Sequence, residues 1–334
     1  MKKNLVALAV LATSGVSFAQ VTITGNLTMG YQAATTGGVG SSADSAGFGV
    51  DTSEIDFTAT EDLGGGMKAT AKLALAGADR SGESSTVAAG SGNAVSGRDA
   101  SLALATGAGT LTLASEQAPD YLSGGIAGVG AYYSGFNGKV FDARVNRDTV
   151  TYSIPVGALE LAATYQEAAG LQGLGAGTTG TAATTGQSLA GLLATYTSGA
   201  VAANLTYLSF NSNVGRLKDQ TRLSVSYDFG VAKLGLGAVV TNANTAPATG
   251  RATDLLLGVS VPMGALTLGA EFVQRKIDDV AFTTQGVGTI SGSAVQASYA
   301  LSKRTSLIGN YARWTQTVGN DASSQYQLLL SHSF

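Results

Sequence analysis

The sequence predicts an all-β fold, a 16-stranded antiparallel transmembrane β-barrel with short turns at one end and long loops at the other. Three observations carry that reading. Segments of about ten residues alternate apolar and polar side chains with period two. The connections between them are short and long in alternation. Beyond residue 19 no apolar run reaches the roughly 18 residues that a membrane-spanning helix needs, so a membrane could be crossed only by strands.

Composition agrees. The chain has 46 glycines, 4 prolines and 12% charged residues, which dilute helix formers and favour β structure. It has no cysteine, so no disulfide framework holds it together. Lys2 and Lys3 precede an apolar run from Leu5 to Ala12, and Ser17-Phe18-Ala19 places small residues where a signal peptidase reads. Residues 1–19 are therefore expected to be a cleaved secretory signal, leaving residues 20–334 as the barrel. Without those two lysines the balance of 19 basic and 22 acidic residues becomes 17 and 22, a net charge of −5. This acidity, with no basic cluster, argues against nucleic acid as a partner.

Taken in order, the first strand segment, Val21 to Gln32, sets Val21, Ile23, Leu27, Met29 and Tyr31 against Thr22, Thr24, Asn26, Thr28 and Gln32. The pattern returns as Leu159, Leu161, Ala163 and Tyr165, then as Leu223, Val225 and Tyr227 opposite Arg222, Ser224 and Ser226. It continues through Leu255, Leu257, Val259 and Val261, then Leu266, Leu268, Ala270 and Phe272, and Val295, Ala297, Tyr299 and Leu301. Short connections such as "EDLGGG" (61–66), "GAG" (107–109), "PVGA" (155–158) and "PMGA" (262–265) read as tight hairpin turns. Long ones such as "TTGGVGSSADSAG" and "GESSTVAAGSGNAVSG" are polar and rich in Gly, Ser and Thr. Seven short turns and eight long loops make 15 connections, hence 16 strands with both chain ends on the short-turn side. Apolar-out, polar-in strands of this length mark an outer-membrane barrel, with short periplasmic turns and long extracellular loops. Closure is required because lipid cannot satisfy a free strand edge. Tyr165, Tyr207, Tyr227, Tyr299 and Tyr326 lie near strand ends, where interfacial aromatic girdles sit.

The segments "EDLGGGMKA" (61–69), "RDTVTYSIPVGALELAATY" (147–165) and "SYDFG" (226–230), the start "MKKNLVALAVLATSG" and the final His-x-Phe resemble the trimeric general porins of beta-proteobacteria. The resemblance spans the whole chain. It implies a homotrimer in outer-membrane lipid, a third long loop folded into the lumen as a constriction, and passive diffusion of ions and small hydrophilic solutes. The residues themselves lead us to expect no cofactor and no metal centre.

Charges facing water inside the barrel would then set selectivity. Period two turns Glu54, Asp56 and Thr58 inward on the second strand, and Lys68 and Lys72 inward on the third. Lys72 lies mid-strand and is the better constriction candidate; Lys68 follows the periplasmic turn. The third long loop runs from about Glu116 to Phe141, and its acids Glu116 and Asp120 would face the basic wall if it folds inward. Lys139, Asp142, Arg144 and Arg147 read as a solvated rim. Members of the resembled family carry arginines at positions that match Glu54 and Ser115, while Arg98 is retained. Lys72 and Arg98 against Glu54, Asp56, Glu116 and Asp120 lead us to expect weak selectivity leaning toward cations.

Catalysis has little to work with. The one histidine, His332, sits on the lipid side of the last strand, where an amphipathic rim role is the natural reading. "DTSEID" (51–56) and "KIDD" (276–279) could bind Ca²⁺ weakly, but they lack a full calcium-loop pattern. A sugar- or organic acid-specific channel stays open, because Tyr121, Tyr132 and Tyr133 cluster in the third loop. An adhesin or receptor barrel is less favoured, since the loops are short of aromatics and arginine. The tail "QYQLLLSHSF" places Tyr326, Leu328, Leu330, His332 and Phe334 on one face; it is expected to close the barrel against the first strand and to be read by the barrel-assembly machinery.

Overall fold

A computed structural model describes residues 20–77, 96–117, 122, 125–141, 146–168, 188–211, 217–243, 250–278 and 285–334. The expected signal segment, Asp120, Tyr121, Asp142 and Arg144 lie outside these residues. The first eight strands are β1 (Gln20–Gly38), β2 (Ser41–Gly64), β3 (Met67–Ala76), β4 (Ser96–Thr106), β5 (Gly109–Gln117), β6 (Asn146–Val156), β7 (Leu159–Ala168) and β8 (Ser188–Ser198). The rest are β9 (Val201–Phe210), β10 (Leu217–Asp228), β11 (Lys233–Ala243), β12 (Arg251–Met263), β13 (Leu266–Ile277), β14 (Gly288–Ala300), β15 (Thr305–Trp314) and β16 (Ser323–Ser333). Each pairs antiparallel with its sequence neighbours, and β16 pairs with β1, so the 16 strands form one closed barrel.

Closure is made at the last residue. Asn26 to Thr35 register against Ser333 to Ser324. Gly25 and Phe334 then exchange both backbone hydrogen bonds at 3.0 Å. The Phe334 ring lies over Gly25, where an added Cβ would come within 2.4 Å of it. Gly25 is thus filled from within the chain, whereas Gly309 on the outer face of β15 has nothing within 4 Å. Of the two glycines that sequence suggested for packing between membrane elements, only Gly309 presents an open notch. His332 Nδ1 meets the Thr305 hydroxyl at 2.9 Å on the neighbouring strand.

The turns follow the sequence. In "EDLGGG", Gly64, Gly65 and Gly66 all have positive φ (78°, 62° and 79°), which a side chain would strain. The Asp62 carboxylate accepts the Gly64 N–H at 2.8 Å. One expected long loop is absent as a loop: Thr35 to Gly49 extends β1 and β2 as a paired ladder, with Gly38 opposite Ser41 and Gly40 at φ 62°. Backbone pairing holds most of this hairpin, helped by the Thr35 hydroxyl donating to Asp44 Oδ1 at 2.8 Å and by Ser323 Oγ accepting the Gly37 N–H at 3.0 Å.

Alternation sorts the faces. Outward positions of β1, such as Val21 (61% exposed), and Leu192 of β8 (65%) are bare in the isolated chain, as lipid-facing residues are. The inner face is polar through much of the ring, but it departs from the rule on β11 to β16. Val239, Leu256, Val273, Ile290, Ile308 and Leu329 all sit on inward positions and are buried. Something inside the barrel covers most of them.

Candidate functional site: the lumenal wall and the loop docked on it

That cover is the segment after β5. Its Leu122, Ala127, Ala131, Phe136, Val140 and Phe141 form one hydrophobic cluster with Val239, Leu256, Val273, Ile290 and Trp314 of the inner wall. The burial drives the docking, because these side chains are apolar and Phe136, Ala127 and Ala131 are wholly removed from solvent. Polar groups fix the orientation. Glu271 accepts the Ala131 N–H at 3.3 Å, and Gln296 accepts the Tyr133 N–H at 3.0 Å. Gln325 Nε2 donates to Ser134 O at 3.2 Å, and Gln285 Nε2 donates to Val140 O at 3.2 Å. A 3₁₀ turn (Tyr132–Ser134) and the one-turn helix α1 (Asn137–Val140) lie within the segment. Tyr132, 59% exposed and edge-on to Tyr133, points away from the wall, while the Tyr133 hydroxyl lies 3.4 Å from Ser331 Oγ.

Half-way round the ring, β2 to β6 carry charge. Glu54 and Asp56 pair with Asn26 and Thr24 of β1, in the inward register. Lys72 lies opposite Thr58 and reaches Asp56 Oδ1 at 3.7 Å. Arg98 bonds Glu54 and donates from Nε to Asp99 Oδ2 at 2.7 Å. Arg98 and Asp99 are adjacent yet both turn inward, because the β3–β4 register slips between Ala74 and Leu75. A second slip, between Thr28 and Met29, brings Asp51 of β2 inward, where Gln327 Nε2 reaches it at 3.4 Å. Lys68, opposite Asp62 beside the turn, lines the periplasmic mouth.

Glu116 has moved. β5 runs through Gln117, so Glu116 belongs to the wall strand and not to the loop, and it registers opposite Arg147 of β6. Arg147, read from sequence as a solvated rim residue, is therefore a lumenal residue and donates to Gln166 Oε1 at 2.6 Å. Ser115 faces the other way, registered with Ala100 in the row of Leu102 and Leu113, so that position places no charge in the lumen. The described part of the loop carries no acid; its one charge is the exposed Lys139. The expected arrangement of loop acids against a basic wall is thus not what the described residues bring together. Opposite charges alternate along one wall instead.

Sequence reasoning missed three wall residues. Arg222 of β10 stands in the inward row with Ser224 and Ser226, and its guanidinium donates to Gln220 Oε1 at 3.3 Å. Its alternation with Leu223 and Val225 was the available signal. Asp51 and Asp99 depend on the two register slips, which leave no mark in the pattern. Under the loop a further pair, Arg275 and Asp254, lies 3.7 Å apart with side chains 1% and 7% exposed, withdrawn from the water path.

A family model for Gram-negative porins matches residues 5–319. The outer membrane porin protein 32 of Delftia acidovorans is 29% identical over 346 aligned positions, covering 98% of this chain and 94% of that protein. Among solved structures, an anion-selective porin from Comamonas acidovorans superposes with a TM-score of 0.68 at 21% identity, covering 95% of this chain and all (100%) of that one. A variant of the Rh. blastica porin gives a TM-score of 0.64 at 14% identity, over 94% of this chain and 100% of its own. Closed ring, lipid-bare exterior and charged water-facing wall are what such proteins need to pass solutes through lipid. With the family match extending over nearly its whole length, the chain belongs to the Gram-negative porins, channels of the outer membrane.

Proposed function

We propose that this porin is a general diffusion pore for ions and small hydrophilic solutes whose narrowest passage lies between the docked loop and the β2–β6 wall, with weak charge selectivity. The observation that carries this is the compensation of charge around the lumen. On that wall Asp51, Glu54, Asp56, Asp99 and Glu116 stand among Lys72, Arg98 and Arg147, and Arg222 on β10 and Lys139 on the loop bring the bases to the same number. Rings of one sign select strongly; interleaved signs at contact distance cancel within a few ångströms. This balance removes the cation lean expected from sequence, which counted four acids against two bases. It also weighs against transferring the anion selectivity of the Comamonas protein, because Arg98 is held by both Glu54 and Asp99.

A solute-specific channel would show aromatics tracking through the lumen. Tyr132 is the large aromatic that projects from the described part of the loop, and no second one on the β2–β6 wall answers it. Assembly as a homotrimer is part of the proposal, supported by the family and by the apolar exterior, and mass measurement in detergent tests it. Recognition of the closing strand by the barrel-assembly machinery is likewise proposed, with Tyr326, Leu328, Leu330, His332 and Phe334 as the outward row that would be read. The reversal potential across a planar bilayer in a salt gradient tests the selectivity: a value near zero is expected, and a pronounced anion or cation potential would contradict it.

A further inference from the structure

We infer that a seat of inward glycines on β11 to β13 sets the distance at which the loop stands from the wall, and thereby sets the aperture of the pore. The inference rests on the loop forming the narrowing. A strand interior gains nothing from glycine unless another backbone must come close. Here it does. A Cβ on Gly235 would lie 1.9 Å from Ala127 O, and one on Gly269 would lie 1.8 Å from Gly130 O. The fit is reciprocal, since a Cβ on Gly130 would lie 2.1 Å from Ala270 O. These are backbone oxygens, which cannot swing aside as a long side chain can.

Around this centre the contact loosens in steps. A Cβ on Gly258, the register partner of Gly235, would meet Ala127 O at 3.2 Å and Val129 N at 3.3 Å. At Gly237 and Gly292 the obstacle is side chain, Leu122 Cδ2 at 2.7 Å and Phe136 Cδ2 at 2.8 Å. The loop backbone therefore lies directly on bare strand backbone at Gly235 and Gly269, and its side chains fill the hollows beside them. Ordinary contact begins at 3.4 Å, so one methyl at either position requires the loop to retreat by about 1.6 Å toward the lumen. Retreat on that scale strains the Glu271 and Gln296 contacts to the loop N–H groups. No other residue type permits the observed approach, which makes the two glycines determinants of pore size that never touch a solute.

The test compares Gly235→Ala and Gly269→Ala with Gly309→Ala, whose added methyl meets open space on the outer face. Refolded full-length mature barrels are measured for single-channel conductance and for the size cutoff of neutral sugars in liposome swelling, with resistance to unfolding in detergent as the folding control. Lower conductance and a smaller cutoff in both seat variants, with Gly309→Ala unchanged, is the expected result. Higher, flickering conductance also supports the seat, since it means that the loop has been released. Wild-type conductance and cutoff in folded Gly235→Ala and Gly269→Ala would overturn the inference. If Phe136→Ala, which attacks the loop's own anchor, also leaves conductance unchanged, the failure belongs to the loop as constriction; if it alters conductance, only the glycine seat fails.

Discussion

Phe136→Ala is the sharpest single perturbation of the docked loop. Its ring is fully buried, lies against Gly292 and belongs to the cluster that holds Trp314. Truncating a buried Phe to Ala costs about 3–5 kcal/mol, the sum of lost transfer energy and the cavity left behind. The barrel ladder does not pass through this side chain, so the cost falls on the docked against undocked equilibrium of the loop. At about 1.4 kcal/mol per tenfold change, that equilibrium moves by roughly two to three and a half orders of magnitude toward release. Trp314 reports it directly. It is the chain's only tryptophan, and it is 7% exposed beneath the loop. Release would wet the indole and red-shift its emission, while conductance would rise with added open-channel noise. A folded variant with wild-type emission and wild-type conductance would refute the claim that apolar burial holds the loop in place.

Other expectations concern charge and closure. Arg98→Ala leaves Glu54 and Asp99 without their shared guanidinium, so selectivity should shift toward cations at 0.1 M salt and relax near 1 M, where screening falls to about 3 Å. Measured reversal potentials that stay fixed, or move toward anions, would show that these groups do not govern permeation. Lys72→Ala should shift in the same direction but less, since Lys72 has the longer 3.7 Å contact to one acid. Glu116→Ala should shift toward anions by uncovering Arg147. Removing Phe334 deletes its two 3.0 Å backbone hydrogen bonds to Gly25 and the ring that covers it. Outer-membrane levels of that truncation should drop several-fold while any barrel that forms conducts normally, and immunoblots showing normal levels would argue against the closing strand as an assembly signal.

The sequence made the wall legible because lipid and water lie on opposite sides of each strand, and period two records that directly. Val21, Ile23 and Met29 outward, and Glu54, Asp56 and Lys72 inward, follow from it. What it hid has one physical origin: structure inside the barrel. Leu256 sits between Leu255 and Leu257, so the unbroken apolar run in β12 already signalled a strand buried on both faces. The inward Gly235 and Gly269 carried a second trace of the same contact. Register slips were beyond reach, because one extra residue at Asp51 or Arg98 changes no composition. Glu116 belongs to the wall because the strand breaker Pro119, which cannot donate to a ladder, stands three residues further on and lets Glu116 and Gln117 pair with β6.

We propose two things of this pore, that it is water-filled and that its lumenal charges cancel. Refolded residues 20–334 in a planar bilayer, held across a tenfold salt gradient, test both halves together. Ohmic steps in multiples of three and a reversal potential close to zero are expected. Absence of conductance, or a potential near the limit for a single ion sign, would contradict the proposal.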